Sequence, residues 1–153
     1  MITYRLATYE DVDDLVRLRI DFLEEFQPDA CEQKNECEQF LKEYFESAIP
    51  CDGFVAWLAE SGEKIVGTSG LSFYAIAPSL KNLSGHIAYI LNMYTVPSYR
   101  GKGIASALFE RIIGEARMRG YKKILLHATE SGRLVYQKFG FQNTNNEMAL
   151  RLD

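Results

Sequence analysis

The order of hydrophobic periodicities predicts a single α/β domain over residues 1–153, a mixed β-sheet with helices on both faces. Three observations carry this expectation. Between residues 8 and 48 apolar side chains recur mostly three and four apart, the spacing of helices. Between residues 54 and 96 the chain changes to extended runs rich in β-branched and aromatic residues, broken by short turns. From residue 87 to residue 128 it reads as strand, glycine-rich turn, helix and strand. Hairpins give antiparallel pairs and the later crossover gives a parallel one, so the sheet is mixed.

Each element follows from local chemistry. Thr3-Tyr4-Arg5-Leu6-Ala7 is a first strand. Thr8 is an N-cap with Asp11 three residues on, close to a capping box. The helix it opens carries Val12, Leu15, Val16, Leu18, Phe22, Leu23 and Phe26, and Pro28 ends it. A second helix runs from about Cys31 to Ala48, with Phe40, Leu41, Tyr44 and Phe45 on one side and Pro50 as its stop. Residues 54–59 and 64–75 form a hairpin around Ser61-Gly62-Glu63, with Gly67 and Gly70 as candidate bulge positions. Residues 77–85 are a loop, and Ile87 to Val96 is a long apolar strand ended by Pro97. Gly103 to Arg119 is a helix with Gly120 as its C-cap. Residues 123–129 make a fifth strand, Ser131 caps a short helix ending at Gly140, and Phe141 with residues 147–152 supplies final strands.

Composition narrows the function classes. A 47% apolar share with nine Tyr and nine Phe is enough to bury a core. No apolar run approaches the ~20 residues of a membrane span, and the first residues lack the layout of a signal peptide, so the expected setting is cytoplasmic. Cys31, Cys37 and Cys51 have no metal-ligand spacing, so free thiols are expected and no metal site. The net charge of −4 argues against nucleic acid as a partner. It conceals an asymmetry: residues 10–46 balance to −9 and the remainder to +5.

The most informative stretch is Pro97-Ser98-Tyr99-Arg100-Gly101-Lys102-Gly103-Ile104-Ala105. It leaves a strand and opens a helix, which aims several free backbone N–H groups at one point and suits an anion. Gly101 and Gly103 clear the backbone for a diphosphate, Ala105 keeps the first turn slim, and Arg100 and Lys102 add positive charge. A Walker A loop fails because Gly103 follows Lys102. A dinucleotide fingerprint fails because Ser106 stands where its third glycine belongs.

This spacing resembles the acetyl-CoA signature of the GNAT acetyltransferase superfamily, Arg/Gln-x-x-Gly-x-Gly/Ala, through Arg100, Gly103 and Ala105. The likeness extends upstream to Met93-Tyr94-Thr95-Val96-Pro97 and downstream to Tyr136-Gln137-Lys138-Phe139-Gly140-Phe141. It is specific over roughly residues 87–141 and architectural over residues 1–85. The resemblance implies a three-layer fold whose sheet splays between strands four and five, with acetyl-CoA as co-substrate. It implies that the backbone at Met93 and Thr95 binds pantetheine. The amides of Gly101, Lys102, Gly103, Ile104 and Ala105 bind the pyrophosphate. An N–H near Met93 or Tyr94 holds the oxyanion, and Tyr136 protonates the leaving thiolate.

Many relatives carry a Glu on strand four as base, but Ile87 to Val96 holds no acid. His127 is the direct candidate, His86 stands behind it, and Asn92 is suited to hold a water. Thr129 and Gly132 replace an Asn and an Ala that the family often has, which puts an accessory cofactor contact in question.

The acceptor is expected to be a primary amine on a small molecule or peptide, drawn by Asp21, Glu24 and Glu25 of the acidic first helix, with Glu130 beside it. A cationic acceptor suits those acids. A non-catalytic acyl-CoA-binding domain on the same fold stays open, and a homodimer through exposed sheet edges is compatible with the chain.

Overall fold

The computed structural model describes residues 1–144 and 146–152. The elements are β1 (Ile2–Leu6), α1 (Val12–Phe26), α2 (Lys34–Ala48), β2 (Phe54–Ser61), β3 (Lys64–Ala75), β4 (His86–Thr95), α3 (Ile104–Met118), β5 (Ile124–Leu126) and α4 (Glu130–Lys138). The strands lie in the order β1-β2-β3-β4-β5. The first four pair antiparallel, and β4 pairs parallel with β5. This is the mixed sheet that the periodicities predict. No helix among the described residues is long and apolar enough to cross a membrane.

Two cores follow from the period-two alternation of the strands. Phe54, Ala56 and Leu58 of β2 face α1 and α2, joining Leu15, Leu18 and Phe45. Leu71, Ala88 and Ile90 face α3 and meet Phe109, Ile112 and Ala116, while Ala59 and Val66 meet Ile104 and Leu108 of the same helix.

A charged knot ties the start of α1 to the sheet edge. The Arg5 guanidinium donates to both oxygens of Asp11 at 2.8 Å each and to Glu60 at 2.7 Å. The Thr8 backbone N–H donates to Asp11 at 2.7 Å, so Asp11 is the capping-box acid expected from the sequence. Asp11 is buried, and its bonds to Arg5 and Thr8 hold its carboxyl below the usual carboxylate range.

Four expectations need correction. Gln27, at φ −135°, ends α1, Pro28–Gln33 forms a 3₁₀ segment, and α2 starts at Lys34 rather than Cys31. Thr129, not Ser131, caps α4: its hydroxyl accepts from the Gly132 N–H at 3.2 Å. The fifth strand keeps three of its seven expected residues, since β4 pairs with it only from Ala88 to Ile90. No strand follows it among the described residues. The alternation over residues 147–152 finds no ladder partner there and leaves Met148, Leu150 and Leu152 exposed.

The glycines of β3 are explained by close approach as much as by bulging. One register shift falls beside Gly67, but the other inserts its extra residue into β4: Thr68 pairs with Tyr94 and Gly70 with Leu91. A Cβ on Gly67 would stand 3.1 Å from Leu108 of α3, and one on Gly70 would stand 2.6 Å from the Phe54 ring.

Two outcomes follow. Gly70→Ala should cost about 1–3 kcal/mol by overpacking, read as a lowered midpoint in urea. For Asp11, the folded carboxyl titrates below its unfolded value. Its contribution is therefore full above about pH 4 and is lost as pH falls through the folded pKa. Melting curves of the protein and of Asp11→Asn should differ at neutral pH and converge as the pH falls through the folded pKa.

Candidate functional site

The site begins where the sheet opens. β4 and β5 are paired only over Ala88–Ile124, Tyr89–Leu125 and Ile90–Leu126. Beyond Ile90 the β3 side of β4 stays paired, with Thr68 opposite Tyr94 and Gly67 opposite Thr95. On the β5 side, among the described residues, the segment from Leu91 to Thr95 has no ladder partner. An extended, amide-bearing ligand can add along that edge as a strand does.

The bulge sits at the mouth of this gap. Asn92 adopts φ +56°, the left-handed region that Asn tolerates better than most residues. It shifts the alternation, so that Leu91 and Tyr94 both face α1 while Met93 faces the Phe109 cluster. Asn92 is 2% exposed, and neither atom of its side-chain amide has a hydrogen-bond partner among the described residues.

β4 leads through a 3₁₀ turn, Pro97–Tyr99, into the glycine turn. Gly101 and Gly103 have φ of +75° and +77°, and a Cβ on either would meet nothing within 4 Å. These glycines serve a left-handed backbone over open space. Gly103 is the N-cap of α3 and supplies no side-chain cap, so the first-turn amides remain open. Buried Ile104 anchors the turn against Ala59 and Val66, while Ala105 and Lys102 are exposed. Open amides at a helix start, glycines with no obstruction above them and an exposed lysine fit a diphosphate.

Arg100 departs from the expected picture. Its Nε donates to the Thr95 carbonyl at 2.9 Å and its other nitrogens form a fork on Glu25 at 2.8 and 2.7 Å. It also lies over the Tyr94 ring at 5.4 Å. The guanidinium braces the turn against the end of α1 and is not a free charge at the phosphate site.

Tyr136 and His127 lie on opposite faces of the gap. Tyr136, on α4, packs with Met93 into the α3-side cluster and stacks on Phe109 at 5.0 Å between ring centroids. Burial pushes its phenol above the ordinary tyrosine value. Its ring folds back over Gly132, where a Cβ would stand 2.9 Å from the hydroxyl oxygen. His127 follows β5 rather than lying on it, and is exposed. Its Nδ1 is hydrogen-bonded to the Tyr89 hydroxyl, and its Nε2 is 3.7 Å from Glu147. His86 opens β4 opposite Ala75, at the far end of the strand from the turn.

The acids named as acceptor contacts are engaged. Asp21 is 3.9 Å from Arg17, Glu24 is 2.9 Å from Lys34, and Glu25 holds Arg100. Glu130 is 94% exposed and 3.6 Å from Arg133. Tyr89, the hydrogen-bond partner of His127, is one of two tyrosines in the apolar strand β4 and is not singled out by any motif in the sequence. Gly132 reads in the sequence as a departure without its consequence, which is the perch for Tyr136.

Residues 17–141 match the model of the acetyltransferase (GNAT) family. Human N-acetyltransferase 8B is 33% identical over 60% of this chain and 40% of its own length. Glucosamine 6-phosphate N-acetyltransferase of Trypanosoma brucei brucei is 30% identical over 58% of each chain. The chain therefore spans 40–58% of the length of these curated relatives. A predicted acetyltransferase of Clostridium acetobutylicum, solved with acetyl-CoA, superposes with a TM-score of 0.89 at 35% identity, covering 99% of this chain and 96% of its own. A GCN5-related N-acetyltransferase of Ralstonia eutropha JMP134 superposes with a TM-score of 0.91 at 27% identity, covering 99% of each chain. With the open β4 edge and the glycine turn in place, these matches show that the chain belongs to the GNAT acetyltransferase family.

Proposed function

We propose that this protein transfers an acetyl group from acetyl-CoA to a primary amine of a small molecule or peptide, by direct attack of the amine. The observation that carries this reading is the continuity of one path. The edge at Leu91–Thr95, without a ladder partner on the β5 side among the described residues, runs into the left-handed glycine turn, and Tyr136 packs half-buried with Met93 of that edge into the α3-side cluster.

Each part of the chain has a task. The backbone at Met93 and Thr95 takes the amides of the pantetheine arm. The amides of residues 101–105 hold the pyrophosphate, with Lys102 adding charge. A backbone N–H at Met93 or Tyr94 stabilises the oxyanion that develops as the nitrogen–carbon bond forms. The carbon–sulfur bond then breaks, and Tyr136 gives its proton to the departing thiolate. The proton lost by the amine passes to His127 or through water, which Asn92 is suited to hold. Because burial raises the Tyr136 phenol, it stays protonated across the neutral range. The loss of activity that follows its ionisation falls above about pH 10. Free Cys31, Cys37 and Cys51 suit a reducing cytoplasm.

Tyr136→Phe should lower kcat on the order of 10²–10⁴-fold while acetyl-CoA binding, measured by calorimetry, stays unchanged. Gly103→Glu should abolish that binding. Turnover that survives in Tyr136→Phe would remove the tyrosine from the mechanism. Gly132→Ala should also lower kcat, because its Cβ displaces the Tyr136 ring. The same change raises helix propensity by about 1 kcal/mol, so the melting temperature should hold or rise. A fall in activity without a fall in stability separates the perch from a general packing role.

A further inference from the structure

The acceptor side of the gap holds an arginine without a carboxylate. α1 carries Arg17 and Arg19. Arg17 meets Asp14 at 2.7 Å and lies 3.9 Å from Asp21. Arg5, Arg100, Arg119 and Arg133 each meet an acid as well. Arg19 is half-buried, and among the described residues no carboxylate contributes to its charge environment. Its guanidinium stands 5.3 Å from the centre of the Phe22 ring. The Phe22 ring lies edge-on to the Tyr94 ring of β4 at 6.4 Å between centroids, which sets Arg19 on the β4 side of α1, where its charge also acts on Cys37 of α2 and Tyr89 of β4. Burial depresses its pKa, but an arginine stays charged at any physiological pH. A half-buried cation with only a ring face beside it is costly to keep, and a bound anion would offset that cost.

The surroundings supply hydrogen bonds of the right kind. Tyr89 pairs in register with Ser72 of β3, so the two side chains share a face. The Tyr44 hydroxyl is 2.6 Å from the Ser72 hydroxyl, bringing α2 to the same place. Tyr89 in turn holds His127 at the point where β4 and β5 part. Glu147 lies on the His127 side of this group, 3.7 Å from the imidazole. The acids that were expected to attract a cation are paired. Arg19 is a half-buried charge on this face that forms no ion pair among the described residues.

We infer that the acceptor amine carries an anionic group, a carboxylate or a phosphate, which Arg19 pairs with beside Tyr89 while the amine enters the gap at Met93. The inference rests on the acetyl-transfer reading for the role of the amine. It replaces the cationic acceptor suggested by the acidic helices. Arg19 then determines specificity without taking part in the chemistry.

The test uses the full chain loaded with CoA, titrated by calorimetry with matched probes. One set compares ω-amino carboxylates of increasing length with their amides. The other compares aminoalkyl phosphates with the parent aminoalkanols. The anionic member of at least one set should bind about tenfold or more tightly, and Arg19→Gln should abolish that preference while leaving CoA affinity unchanged. Arg19→Lys should restore part of it. The better of the two sets tells carboxylate from phosphate. Equal binding of charged and neutral members, preference for the neutral ones, or a preference that survives in Arg19→Gln overturns the inference. Parallel assays with acetyl-CoA keep the two readings apart. Anion-selective binding without acetyl transfer would leave Arg19 its role and remove the enzymatic one. Transfer without anion preference would do the reverse.

Discussion

The bulge in β4 at Asn92 is the constraint on which the rest of the site depends. A continuous ladder on both sides of β4 would close the sheet and leave no backbone for a ligand. The extra residue breaks the alternation, so Leu91 and Tyr94 face α1 while Met93 faces Phe109. β4 holds its pairing with β3 across the interruption but loses β5 after Ile90. The strain of a left-handed asparagine, with a buried amide that nothing among the described residues satisfies, is the kind of local cost that accumulates where a chain binds something.

Around that gap the two faces of the sheet divide the work. The α3 and α4 face supplies the glycine turn and Tyr136, a phenol against aromatic neighbours whose pKa burial raises. The α1 and α2 face carries Arg19 and the Tyr44–Ser72 and Tyr89–His127 hydrogen bonds. Arg100 links the two. Its fork on Glu25 and its bond to the Thr95 carbonyl join the end of α1 to the end of β4 just before the turn. The pair is partly exposed, so its worth lies more in orientation than in stability.

Much of the architecture was readable from local rules. Gly103 and Gly120 bracket α3 with left-handed backbones, as glycines at helix ends do. Thr8 and Asp11 cap the start of the first helix as their spacing suggests. The misplaced features share a cause. Ser131 and Thr129 are both competent caps, and only the path of the chain out of β5 chooses between them. Residues 147–152 alternate like a strand, yet a strand exists only where a neighbour offers hydrogen bonds.

The glycine turn and the open start of α3 were legible because their requirements are local, a left-handed backbone and an uncapped helix start, whereas Tyr136 was singled out by the likeness of its surroundings to the family's motif. Charge was not legible in the same way. Thirteen acids among residues 10–46 suggest a surface that attracts cations, but three of them meet cations in the fold: Asp21 an arginine of its own helix, Glu24 a lysine of α2, and Glu25 an arginine 75 residues away. Arg19, within the same acidic stretch, forms no ion pair among the described residues. Composition counts charges, whereas packing decides which of them meet, and electrostatic energy depends on distance.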